Sequence, residues 1–180
     1  MSATTWKLDA THSQVEFAVK HMMFTTVRGR FADVEGTVVL DAGAPGRSSV
    51  DVTVRTASVD TRAADRDAHL RSPDFFDVEA HPTMTFRSRR VEGSLAKPGD
   101  AFKVVGDLSI RGVTREVVLD ARFEGTGTDP WGNARSGFSA TTSLDRRDFG
   151  LTWNQALEAG GVLVAHEVRI ELQAQAVLAK

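Results

Sequence analysis

The stretch from Arg66 to Phe86 reads RDAHLRSPDFFDVEAHPTMTF and interrupts a chain that otherwise has the pattern of β-strands. Its first six residues are rich in helix formers and lack the β-branched residues that favour strands. Ser72 precedes Pro73, which pushes it out of the helical region, so the helix should end there. After His81-Pro82 the chain resumes as a strand. A short helix followed by two bulky aromatics predicts a cap over one end of a β-barrel.

The rest of the chain alternates apolar and polar residues with a period of two, as strands with one buried face do. About eight such segments are joined by short loops, which favours an antiparallel barrel over βαβ units. Closure into a barrel is expected because long strands would otherwise leave unpaired edges. The segments lie within residues 15–21, 27–40, 50–55, 83–86, 102–110, 117–123, 136–142 and 162–176.

Two of these segments carry more specific predictions. Gly29 and Gly36 interrupt the second segment, which indicates bulges or sharp bends. The last segment is long for a globular strand, so we expect a bend or a role at both ends of the barrel.

Length and composition define the broad class of protein. The 180 residues suit one domain, 1–180, with ample length for a core. A net charge of −2 gives no electrostatic basis for binding nucleic acid, and no window is apolar enough for a transmembrane segment. No signal peptide is visible. We therefore expect a cytoplasmic protein, or a secreted or periplasmic one if a leader has been removed.

Ten motifs follow one another over nearly the whole chain, and together they resemble the YceI-like family. The departure from the family pattern is Asp145, where asparagine is expected before the arginine. The motifs are Trp6–Asp9, His12–Phe17, Lys20–Met23, Arg66–Leu70, Asp74–Asp77, His81–Pro82, Gly106–Thr114, Arg146–Gly150, Gly160–Val162 and Glu167–Val168.

This resemblance implies an all-β, extended, lipocalin-like antiparallel barrel of about eight strands, commonly a homodimer. It implies that the interior binds a polyisoprenoid or another long-chain amphiphilic lipid. Transport or storage of that lipid is the function we expect for such a barrel. It brings no catalytic mechanism and no cofactor, although an isoprenoid or quinone-like lipid is expected as ligand.

An eight-stranded barrel is just wide enough for one small ligand when side chains do not fill it. Aromatic residues also dominate ordinary cores, so simple packing is the more ordinary explanation for any one candidate alone. For the set as a whole, the resemblance favours a cavity. The residues predicted to line the interior are Phe17, Val19, Phe31, Val54, Phe75, Phe76, Phe86, Leu108, Phe138, Phe149 and Trp153.

Four polar residues are candidates for meeting a head group. His21 and His166 both fall on the apolar faces of their segments, although buried histidines are commonly just hydrogen-bonded core residues. Arg66 and Arg146 suit phosphate recognition, and their alternative role is to pin the cap onto the barrel. Metal binding is not predicted, because the histidines lack a third ligand and metal-binding spacing.

Two other functions stay open on the sequence. One is a hydrolase of a lipid-like substrate that uses Asp9, His12 and Ser13. A related possibility is an isomerase that acts on such a substrate inside the pocket. No Gly-x-Ser-x-Gly motif is present, and Asp9 and Ser13 more simply organise a turn, so no catalytic residue is predicted. The remaining alternative is a stress-related structural dimer with a packed interior.

Overall fold

Eleven β-strands form one antiparallel sheet in the computed structural model, which describes residues 2–180. One α-helix, α1 (Ala64–Arg71), lies between β6 and β7. The strands are β1 Thr4–Leu8, β2 Gln14–His21, β3 Thr25–Phe31, β4 Val34–Leu40, β5 Ser49–Arg55, β6 Val59–Asp60, β7 Thr83–Gly93, β8 Ala101–Ile110, β9 Val113–Thr128, β10 Ala134–Asp145 and β11 Glu167–Leu178.

Six of these strands are halves of three longer, interrupted strands: β1 with β2, β3 with β4, and β5 with β6. Each half is hydrogen-bonded to a half of the next interrupted strand. β1 pairs with β4 and β2 with β3, while β4 pairs with β5 and β3 with β6. With each pair of halves counted once, eight strands lie beside their neighbours in the chain. β11 then pairs with both β1 and β2 and closes the ring. The predicted antiparallel barrel with a short helix is confirmed.

The closing strand β11 serves two partners along one edge. Leu178 lies opposite Trp6 of β1, and Ile170 lies opposite Phe17 of β2. Its other edge pairs with β10 from Asp145 to Arg135. This is the role at both ends that the length of the last segment predicts. The strand begins only at Glu167, however, because within residues 162–166 Val162 and Val164 form isolated bridges and no ladder continues.

The prediction of bulges at Gly29 and Gly36 is wrong. Both glycines lie in regular register with their neighbouring strands. A Cβ on Gly29 would collide with the Phe17 ring, and one on Gly36 would lie 2.7 Å from the carbonyl oxygen of Asp51. These glycines therefore allow close packing of other groups. The interruption of the long strand falls instead at residues 32–33.

Helix α1 and the chain after it cover one end of the barrel. The helix ends before Ser72, whose backbone is extended, as Pro73 predicts. Arg71 holds the helix to the wall by donating to the carbonyls of Ala57 and Val59. None of the helices within residues 2–180 has the length and apolar character needed to cross a membrane.

Candidate ligand-binding site

Two apolar cavities occupy the barrel interior. The α1-end cavity has a volume of about 460 Å³ and lies beneath the helix and the chain after it. The far cavity, of about 190 Å³, lies toward the end that β1 closes. The side chains of Val15, Met84, Ile110 and Ile170 border both cavities, so the two adjoin within the barrel. The interior is therefore not filled by the protein's own side chains.

All eleven residues that the sequence predicts as lining border one of the two cavities. The strand residues reach the interior because alternate side chains point to the same face of a sheet. Those on the α1-end cavity are Phe17, Val19, Phe31, Phe75, Phe76, Phe149 and Trp153, and those on the far cavity are Val54, Phe86, Leu108 and Phe138.

Aromatic rings pack against one another in two groups along the wall of the α1-end cavity. The Phe31 ring centroid lies 5.6 Å from that of Phe17 and 5.4 Å from that of Phe76, which meets it edge-on. Phe75 lies 5.5 Å from Trp153. Edge-to-face and tilted pairs at these distances are the favoured arrangements of aromatic side chains. The cap thus joins its own rings to those of the strands.

Arg146 borders the α1-end cavity but is largely committed to the main chain. Its side chain is 5% exposed, and its guanidinium donates to the carbonyl oxygens of Ala165, Leu151, Trp153 and Val164 at 2.6 to 3.2 Å. Burial lowers the pKa of this guanidinium from its ordinary value. The arginine therefore anchors residues 151–165 over the barrel end, which is the pinning role considered for it.

Asp145, the departure from the family pattern, has a local role beside this arginine. It precedes the short 3₁₀ helix Arg146–Phe149, and its Oδ1 accepts from the backbone N–H of Arg147 at 3.0 Å. Its carboxylate also pairs with the Arg147 guanidinium at 2.6 Å. These hydrogen bonds lower the pKa of Asp145 to about 2. Aspartate thus caps the turn, as asparagine would.

Arg66 borders the same cavity with fewer of its donors in use. Its Nε donates to the Thr61 hydroxyl at 2.7 Å, and one terminal nitrogen donates to the Thr61 carbonyl at 2.8 Å. Asp67 orders this threonine by accepting from its backbone N–H and its hydroxyl. His21 reaches the same wall from the end of β2. Arg66, His21 and Arg146 are thus brought to one cavity.

His166 is not brought to either cavity wall. The residues before Glu167 lie outside the regular ladder, so the alternation that placed His166 on the apolar face does not extend to it. Its Nδ1 is buried and meets no hydrogen-bond partner within residues 2–180.

His69 is a wall residue to which the sequence analysis gave no role. Its Nε2 lies 2.8 Å from Oδ2 of Asp74, and its ring meets those of Phe75 and Trp153 edge-on. It therefore links helix α1 to both aromatic segments of the cap. Its place in the Arg66–Leu70 motif was the available signal.

The residues suspected of hydrolase chemistry do not form a catalytic triad. His12 Nδ1 lies 2.9 Å from Asp9 Oδ2, but the Ser13 hydroxyl donates to the Gln175 carbonyl and accepts from the Gln175 N–H. Asp9 Oδ1 accepts from the backbone N–H of Thr11 and so caps the turn between β1 and β2. Ser13 and Asp9 thus organise the strand connection.

An ion-pair network ties together the far end of the barrel. Arg135 donates to Asp9 and to Asp129, both at 2.7 Å, and to the side chain of Gln175 at 2.8 Å. The hydrogen bond from Arg135 to Asp9 is the main reason why the pKa of Asp9 lies well below its usual range. A second hydrogen bond, from Arg135 to Asp129, is the main reason why the pKa of Asp129 is lowered to about 2. Within residues 2–180, no three acidic, histidine or cysteine side chains cluster as metal ligands would.

The fold and its interior define a closed antiparallel β-barrel with an elongated apolar hollow. A sequence model described as the YceI-like domain matches residues 6–176. The chain therefore belongs to the YceI-like family. It is 42% identical over 152 residues to a UPF0312 protein of Pectobacterium atrosepticum, which covers 83% of this chain and 77% of that protein.

Two solved structures have the same fold. BcnA of Burkholderia cenocepacia superposes with a TM-score of 0.80 at 21% identity, covering 93% of this chain and 98% of BcnA. A polyisoprenoid binding domain from Saccharophagus degradans, implicated in plant cell wall breakdown, superposes with a TM-score of 0.72 at 16% identity. That match covers 98% of this chain and 99% of the domain.

Proposed function

We propose that the barrel binds a polyisoprenoid or a similar long-chain amphiphilic lipid, for transport or storage. The observation that carries this proposal is the pair of adjoining apolar cavities along the interior. A uniformly apolar chain suits such a hollow because it offers no polar group that would need a partner. The similarity in fold to the polyisoprenoid binding domain of Saccharophagus degradans supports the same ligand class.

The distribution of charged side chains along the two cavities determines which way round the ligand lies. Among residues 2–180, no charged side chain borders the far cavity. The α1-end cavity is bordered by charged side chains of both signs and by two histidines: Arg66, Arg146, Lys20, Glu16, Asp65, His21 and His69. A buried polar head group needs hydrogen-bond partners, while an apolar tail does not. The head group therefore lies beneath α1, with Arg66 as its leading partner, and the tail points toward the far cavity.

The energy of tail burial is large enough for binding. Burying about 15 carbons at about 0.8 kcal/mol each contributes on the order of 12 kcal/mol. Association costs about 4–15 kcal/mol, so a chain of this length binds only if the cavity excludes water along most of it. Longer chains gain more, up to the capacity of the hollow.

Extraction of protein purified from its own cells, followed by mass spectrometry, tests the proposal. We expect a co-purifying long-chain lipid, and we expect Leu108→Arg or Phe76→Asp to reduce its retention at least tenfold. Val118→Arg is the matched control because Val118 is exposed on the barrel surface. Folded wild-type protein with no lipid, and no uptake of added polyprenol, would end the proposal.

A further inference from the structure

The two cavities adjoin at four apolar side chains, here called the waist. It consists of Val15 on β2, Met84 on β7, Ile110 on β8 and Ile170 on β11, the four residues that border both cavities. Met84 and Ile110 are buried members of the core cluster, and Val15 packs against that cluster.

The waist is built from opposite walls of the barrel. β11 and β2 are neighbours, and so are β7 and β8. In the closed ring of eight strands these two pairs stand four places apart, which is the greatest separation the ring allows. Ile170 and Val15 therefore face Met84 and Ile110 across the interior. These side chains therefore lie at the boundary between two chambers, the α1-end cavity and the far cavity.

The chambers differ in capacity. A cavity of about 150 Å³ holds a molecule the size of benzene, so at the same volume per carbon the α1-end cavity holds about 18 carbons and the far cavity about seven or eight. A chain of three isoprene units fits before the waist. A chain of four or five units must pass it, with its last carbons in the far cavity.

We infer that the waist selects the length of the bound chain, and that Met84 is its movable member. This inference rests on the proposed lipid binding. Methionine is unbranched and flexible, whereas valine and isoleucine are stiff at their first side-chain torsion, so Met84 is the side chain that yields to a passing tail. A chain stopped at the waist leaves its terminal isoprene units in water and loses their burial.

Competition among prenyl alcohols tests this inference. Wild-type protein is incubated with an equimolar mixture of the alcohols of three, four and five isoprene units, and the bound fractions are read by native mass spectrometry. We expect wild-type protein to favour the longer two. Ile110→Phe should retain the three-unit alcohol within about threefold and lose the four- and five-unit alcohols at least tenfold.

A second variant tests the waist independently, and a control variant tests whether added side-chain bulk outside the waist changes binding. Ile170→Phe narrows the waist from the opposite wall and should give the same length profile, which keeps the test decisive if Ile110→Phe does not fold. Val118→Phe adds a similar bulk on the exposed surface and should match wild type.

The unfavourable outcomes are distinct. An unchanged length profile in a folded waist variant overturns the inference while lipid binding stands. Equal loss of all three alcohols also overturns it, because the α1-end cavity should still hold the shortest one. If wild-type protein binds none of them, the proposed function fails and takes the inference with it.

Discussion

Arg146 is the residue whose removal should affect the cap most. Its hydrogen bonds satisfy four main-chain carbonyls of residues 151–165. The carbonyl of Val164 would keep a hydrogen bond from the side chain of Asn154 at 2.7 Å, whereas those of Leu151, Trp153 and Ala165 would lose their side-chain donor. Each buried carbonyl left without a donor costs about 1–3 kcal/mol. We therefore expect Arg146→Met to lower the free energy of unfolding by about 3 kcal/mol or more, measured by urea denaturation.

Arg147 next to it supplies the control. Its side chain is half exposed and its partner is Asp145, so Arg147→Met should have a much smaller effect because water screens an exposed ion pair. Equal losses in the two variants would contradict the anchoring role of Arg146.

The network around Arg135 predicts a pH dependence. Asp9 and Asp129 have lowered pKa values in the folded protein, so below about pH 4 the unfolded chain binds protons that the folded chain does not. Their contribution to stability is present above that pH. As the pH falls, the contribution of Asp129 is lost toward about pH 2, and that of Asp9 persists to lower pH because its pKa is lowered further. Urea midpoints between pH 7 and pH 2 should therefore fall less steeply in Arg135→Met than in wild type.

The exposed Arg55–Asp33 pair offers a comparison for that experiment. Its closest nitrogen and oxygen lie 3.7 Å apart, and both side chains are well exposed. The pH profile of Arg55→Met should run parallel to that of wild type. A parallel profile for Arg135→Met as well would show that the network does not determine the acid stability.

Among the elements, β3 depends on a glycine. A Cβ at Gly29 would collide with the ring of Phe17, a cavity wall residue, so Gly29→Ala should destabilise the fold by about 1–3 kcal/mol through overpacking. Gly127 in β9 has no atom within 4 Å of its would-be Cβ, and Gly127→Ala should stay within about 0.5 kcal/mol. Thermal unfolding measures both, and similar melting temperatures would refute the close packing.

Local signals in the sequence predicted the elements well. The end of α1 follows from Ser72-Pro73, because the effect of a proline acts on its neighbour in the chain. Period-two alternation likewise identified eight strand segments and the seven lining residues that lie on strands. It did not identify β1 or β6, and the other four lining residues, Phe75, Phe76, Phe149 and Trp153, lie outside the strands. The placements that failed depend on distant contacts. Gly29 makes room for Phe17 on another strand, and His166 lies off the wall because the ladder of β11 begins one residue later.

The hydrogen bonds of Arg146 show that the sequence also could not predict every contact in the site. A sequence indicates that an arginine is present, but its four acceptors come from residues 151–165, which have irregular structure. The place of Met84 at the boundary between the two cavities is likewise set by which strands stand opposite one another, and no local pattern encodes that.

At the scale of the whole molecule, the barrel is closed by the pairing of β1 with β11. Lys7 lies opposite Val177, and the chain contains no cysteine. A Lys7→Cys, Val177→Cys double variant should form a disulfide, since directly opposed residues of antiparallel strands have Cα atoms about 4.5–5.5 Å apart. Closing so long a loop should raise the free energy of unfolding by about 3–5 kcal/mol.

The comparison is between the oxidised and reduced forms of that one protein, so that the substitutions themselves cancel. Lys7→Cys alone should show no difference between oxidant and reductant. Failure of the two cysteines to cross-link in folded protein would mean that the register of β1 against β11 does not place Lys7 opposite Val177.

The pairing of β1 with β11 also determines when the protein can fold. Trp6 meets Leu178, so β1 leaves the ribosome before β11 and waits for it, roughly 9 to 35 s at 5–20 residues per second. Throughout synthesis the nascent chain presents a β-edge and an apolar face that nothing yet covers. Newly made protein is therefore a natural client for chaperones, and crowded expression should favour aggregation of chains that have not yet closed.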